Sequence, residues 1–147
     1  MTTDLIKLFW RDLEKLSAEL EAYPSEASIW SVSGDIRNSA GTLTLHLLGN
    51  LNHFVGKVLG HSDYLRDRDA EFSCRDVPRA ELLEHVQNTK TTIERVLSSL
   101  NVPSLEEKYP LEVLGYPMTT GYFLLHLLGH LSWHLGQINY HCRLAAQ

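Results

Sequence analysis

The 147 residues include 44% apolar and 21% charged side chains, which excludes wholesale disorder and suits one globular domain over residues 1–147. A formal net charge of −5 at pH 7 offers no basic surface for phosphates, so nucleic acid is not an expected partner. Two cysteines, Cys74 and Cys142, are too few for a disulfide framework or a cysteine-rich zinc site, and a chain this long buries enough core to need neither.

The first predicted helix runs from about Thr3 to Tyr23. Leu5, Leu8, Phe9, Leu13, Leu16 and Leu20 recur at helical spacing, and Pro24 ends it. Its Asp4, Lys7, Arg11, Asp12 and Glu14 are unlike the apolar run of a signal peptide. The second helix runs from about Ile36 to Gly60 and carries Leu43, Leu47, Leu51, Phe54, Val55 and Val58; a polar loop follows over 61–77. The third starts after Val77-Pro78, with Pro78 suited to the first turn and Glu81 close behind, and ends near Leu100. The 101–117 segment reads as a short β-ribbon or an extended loop. The fourth helix begins at Met118-Thr119-Thr120, whose threonines suit caps, and continues to about Leu144.

Four amphipathic helices without a convincing strand pattern predict an all-α fold, a four-helix bundle with long inter-helix loops that belong to a functional rim. His, Asn and Gly interrupt every apolar stretch short of the ~20 residues a membrane helix requires, so no membrane partner is expected. Without an export signal, and with two unpaired cysteines, the expected compartment is the cytoplasm.

One internal echo stands out. Leu45-His46-Leu47-Leu48-Gly49-Asn50-Leu51 matches Leu125-His126-Leu127-Leu128-Gly129-His130-Leu131, and Gly56 pairs with Gly136 at the same offset. Glycine costs a helix interior up to ~1 kcal/mol relative to alanine, so these four predict close helix approach or a functional need.

The eight histidines are unevenly placed. At about 100° per residue, His126, His130, His134 and His141 fall in a stripe about 80° wide on the fourth helix, beside Leu127, Leu128, Leu131, Leu135 and Ile138. His46, Asn50 and His53 form a similar stripe on the second. The two stripes can converge. His130-x-x-x-His134 sets two imidazoles one turn apart on one face, a spacing that holds a divalent ion. A third nitrogen from another helix would leave coordination positions open, as reactive centres do. His61 and His85 lack partners at useful spacing, and His141 suits the rim. Neither cysteine has the setting of a nucleophile, and no Ser-His-Asp arrangement, phosphate loop or dinucleotide fingerprint is present. Trp30, Trp133, Tyr122 and Phe123 read as core or rim.

His46 in "LTLHLLGNLNHFVG" and His130 with His134 in "LLGHLSWHLGQINYH" resemble the DinB/YfiT-like superfamily of metal-dependent four-helix-bundle enzymes. "YLRDRDAEF" (Tyr64 to Phe72) and the ending "HLGQINYH" are similar to one DinB-like subgroup, Trp30-Ser31-Val32 is similar to a phrase of the wider family, and the resemblance covers nearly the whole chain. It implies a metal triad of His46, His130 and His134. The extra histidines leave rivals: His126 with His130 as a shifted pair, or His53 in place of His46. Asn50, one turn after His46, is a candidate to orient a ligand or touch substrate. The cation implied is zinc or nickel first, with iron or manganese behind. Some relatives are thiol transferases or isomerases that use bacillithiol, mycothiol or glutathione. The implied reaction is therefore transfer of a low-molecular-weight thiol onto a small electrophile, with the metal holding the thiolate. A metal-dependent hydrolase and a non-catalytic metal- or ligand-binding module are the alternatives. A homodimer is also implied.

Overall fold

Helix α1 (Thr2–Ala22) buries Leu5, Phe9, Leu13, Leu16 and Leu20 along one stripe, as their spacing requires. It stops where Tyr23 turns extended ahead of Pro24. The computed structural model describes residues 1–147, and every regular element in it is helical. The other long helices are α3 (Ala40–Leu51), α5 (Arg79–Ser99) and α7 (Thr120–Ala145). Three short helices, α2 (Glu26–Ile29), α4 (Arg68–Ser73) and α6 (Val102–Glu106), occupy stretches expected to be loop. Each short helix is started by a side-chain cap. Ser25 and Ser28 bond reciprocally, Asp67 Oδ1 accepts from the Ala70 N–H at 2.9 Å, and Asn101 Oδ1 accepts from the Ser104 N–H at 2.9 Å. Of the two readings of 101–117, a short β-ribbon or an extended loop, the ribbon is absent; a single isolated bridge joins Lys108 to Thr119.

The second long helix begins at Ala40, not at Ile36, because the Ser39 hydroxyl caps it by accepting from the Thr42 N–H at 3.1 Å. It then changes pitch. α3 passes directly into a π-helical segment over Asn52–Leu59, a widening often found at functional sites. Asn52 Nδ2 donates to the Leu48 carbonyl (2.9 Å) and to Thr89 Oγ1 (2.8 Å). The buried Tyr109 hydroxyl donates to the Phe54 carbonyl at 2.7 Å.

α1 packs on α5 and α7, while α3 packs on α5, α7 and α4. The four long helices contribute to one cluster of 30 buried residues. Polar ties fix their register. Ser132 and Asn139 of α7 donate to Asp12 and Glu19 of α1, and Lys90 of α5 pairs with Glu14 over the Trp10 ring. Phe54 meets Phe123, and His46 meets His130, so residue numbers rise along α3 as they fall along α7. The two helices are antiparallel. No helix is long and apolar enough to cross a membrane.

Candidate metal centre

The antiparallel register lays His46 of α3 against His130 and His134 of α7, with ring centroids 5.1 and 5.5 Å away. One ring nitrogen from each of the three lies within 4.8 Å of the others. His46 Nε2 and His130 Nε2 are 3.2 Å apart. Two nitrogens bound to one ion at about 2.0–2.1 Å with tetrahedral angles sit about 3.3 Å apart, so this spacing fits a shared cation.

Protonation states agree with that fit. His46 Nδ1 faces Glu71 Oε1 at 3.1 Å. A carboxylate only accepts, so Nδ1 carries the proton and Nε2 presents its lone pair to the cluster. Gln137 Oε1, 2.7 Å from His134 Nδ1, fixes the same tautomer there. Burial drives His46 toward its neutral form against the pull of Glu71. Burial, with His134 and His46 alongside, pushes His130 down to about 4. Neutral imidazole is the ligating form. His130 Nδ1 is buried without a partner.

Glu71 is held from two sides. Arg66 Nε donates to Oε2 at 2.7 Å and Arg66 Nη2 to Oε1 at 2.9 Å. Glu71 is buried at 6% side-chain exposure, and Arg66 is partly buried at 13%. Phe72, next along α4, sets its ring 5.0 Å from that of His46. The close approach depends on Gly49, where a Cβ would overlap the Glu71 carboxylate. Residue choice on α3 thus brings a charged pair against the back of the imidazole, where it orients the ring.

A cleft of about 480 Å³ reaches His134, between Arg37, Asn38 and Leu43 on one side and Gln137, Tyr140 and Leu144 of α7 on the other. Another cavity, of about 420 Å³, is lined by Gly49, Glu71, Cys74 and His85 among others.

The other histidines read as candidates are not part of this cluster. His53 stands outside the cluster, edge-on to Phe54 at 4.8 Å, with Nδ1 buried and unpartnered. His126 is exposed and stacked on Phe123 at 5.7 Å. Asn50 is buried with Oδ1 unpartnered, and the outer nitrogens of His46 and His134 are taken by Glu71 and Gln137. His141 is a structural tie: its Nε2 donates to the Ser31 carbonyl at 2.9 Å, and Nδ1 accepts from the Tyr23 hydroxyl at 2.7 Å. His61 is exposed and His85 half-exposed. Trp30 and Phe123 are core, whereas Trp133 and Tyr122 are largely exposed.

Glu71, Arg66 and Gln137 had no role in the sequence reading. No spacing rule links a carboxylate on a six-residue helix to a histidine 25 positions earlier. The usable signal was the helix-interior Gly49. Of the four echo glycines, Gly49 admits Glu71 and Gly56 would bring a Cβ to 3.1 Å from Thr92. Gly129 and Gly136 have nothing within 4 Å, so they do not serve the expected close approach within the chain.

No curated protein and no solved structure matches the chain. One family model covers almost its whole length, residues 5–147. By that match, the chain belongs to the family described as "Protein of unknown function (DUF1572)".

Proposed function

We propose that the chain is a cytoplasmic, divalent-metal-dependent enzyme built on a four-helix bundle of the DinB/YfiT-like type, with His46, His130 and His134 as the metal ligands. The observation that carries this reading is the convergence of three imidazoles from two helices, two of them fixed by Glu71 and Gln137 in the tautomer that ligation needs. A cation held there supplies Lewis acidity, lowering the pKa of a thiol so that the reactive thiolate predominates near neutral pH.

The chain's own residues supply orientation and access. Arg66 clamps Glu71, Glu71 holds His46, and Gln137 holds His134. The cleft at His134 has the size of a small-molecule site, with Arg37 beside it for an anionic group. Of the three histidines, His134 is the one that lines this cleft, and Trp133 and Phe54 do not fill it. Burial pushes the Cys142 thiol pKa up, and Cys74 is exposed and is not one of the groups that converge with the three histidines. Thiol chemistry at this site therefore draws on an external low-molecular-weight thiol, transferred onto a small electrophile.

Metal analysis of protein purified without a histidine tag and saturated with zinc or nickel tests the reading. One tightly held equivalent is expected in wild type and none in the triple variant His46→Ala/His130→Ala/His134→Ala. Equal, negligible metal in both would sink it. Thiol transfer further requires electrophile consumption that depends on both metal and added thiol.

A further inference from the structure

Helix α7 is long and almost uncharged: in 26 residues Arg143 is its one Lys, Arg, Asp or Glu. Helices α1, α3 and α6 cover part of its circumference. On the uncovered side, Tyr122, Leu125, Trp133, Tyr140 and Leu144 are between 51% and 73% exposed. They fall within a sector about 100° wide at 100° per residue. Gly129 and Gly136 fill the gaps in the same sector. A Cβ at either would meet nothing within 4 Å, so packing inside the chain does not explain why the helix bears their cost of about 1 kcal/mol each.

The stripe is palindromic. The pairs Tyr122 and Leu144, Leu125 and Tyr140, and Gly129 and Gly136 each have their midpoint within half a residue of Trp133. A two-fold axis at Trp133 sets α7 antiparallel on a second α7, apolar residue against apolar residue along the whole stripe. The glycines flanking Trp133 leave room for the opposing indole. A groove of about 370 Å³ beside Gly136, between Trp133 and Tyr140, is such a space. Arg143 lies at one end, so the pairing brings no like charges together at its centre. Three largely exposed aromatics and two leucines offer roughly 600 Å² per copy, approaching the ~800 Å² per partner of a standard interface before the flanks are counted. A patch of that size is at the upper end for a protein that stays monomeric.

We propose that this stripe is where two copies of the chain pair, through an antiparallel, isologous α7–α7 contact. Tyr140 and Leu144 also line the cleft at His134. The pairing sets the N-terminal half of the partner's α7 over them, so each cleft gains an outer wall from the other copy. The contact stands independently of the metal.

Sedimentation velocity of the full chain over roughly 1–100 µM, a range that brackets micromolar association, is expected to show a dimer. Trp133→Glu should weaken self-association by roughly 1,000-fold or more, because the two-fold counts each substitution twice. Val102→Glu, at a position 63% exposed and off α7, should leave it unchanged. Far-ultraviolet circular dichroism checks that Trp133→Glu is folded. In a Cys74→Ser background, oxidation should cross-link Trp133→Cys to itself, and Leu125→Cys to Tyr140→Cys but not to another Leu125→Cys. A monomeric wild type, a dimer indifferent to Trp133→Glu, or efficient Leu125→Cys self-cross-linking overturns the proposal.

Discussion

Gly49→Ala sets two physical effects of opposite sign against each other. In an open helix interior, replacing glycine by alanine stabilises by about 0.8–1.0 kcal/mol. At position 49 the new Cβ would overlap Glu71 Oε2 and lie 2.6 Å from its Cδ. The carboxylate must move, and it loses bonds of 2.7 and 2.9 Å to Arg66 and 3.1 Å to His46. Breaking a buried charged pair costs about 3–5 kcal/mol. After the helix gain is subtracted, Gly49→Ala should destabilise by about 2–4 kcal/mol. For a chain of this size that lowers Tm by roughly 5–15 °C.

The same substitution releases His46 from the group that orients it. Loss of such outer partners typically weakens metal binding by about 10–100-fold. Thermal melts of metal-free protein and zinc competition titrations read the two effects separately. A Gly49→Ala variant at least as stable as wild type, binding zinc equally tightly, would refute the role given to Glu71.

Glu71→Gln keeps an acceptor for His46 Nδ1 but strands the Arg66 guanidinium, 13% exposed. Zinc affinity should fall by about 10-fold, and competition titration checks it. Stability should also depend on pH. The folded-state pKa of His130 is about 4, against about 6.5 unfolded, so between those values the unfolded chain holds more protons. The contribution of neutral His130 to the metal-free fold is fully present above about pH 6.5 and is lost as pH falls toward 4. Urea midpoints across that range should decline in wild type and decline less in His130→Ala; equal slopes would count against this assignment. Tyr109→Phe removes the bond to the Phe54 carbonyl and should cost about 1 kcal/mol. Hydrogen exchange across 52–59 should quicken, and unchanged protection there would show that Tyr109 does not hold the widened turns.

The long helices were legible because each buries a stripe at the helical period, as α1 does with Leu5 through Leu20. The start of α3 was misplaced because Ile36 continues the apolar pattern while Ser39 supplies the cap. The π-helical segment had no local signature: among the bonds at its carbonyls is one from Tyr109, 55 residues away. At the site, His46, His130 and His134 were visible through spacing and face. The carboxylate behind them was not, because α4 has no period to read and its position depends on what lies beneath it.

The internal echo shows where pattern stops short of place. By its register His46 corresponds to His126, Gly49 to Gly129 and Asn50 to His130, which would suggest equivalent roles. The structure separates them because the two helices have different neighbours. α4 packs on α3, so Gly49 receives Glu71 and His46 is buried against it. On the corresponding face of α7 a Cβ at Gly129 would meet nothing within 4 Å, and His126 is exposed. One short phrase is therefore used once to build a ligand's support and once to leave a flat apolar face. In the second setting the missing neighbour is assigned to another copy of the chain. Trp133, which the register aligns with His53, is then the residue at the centre of that contact.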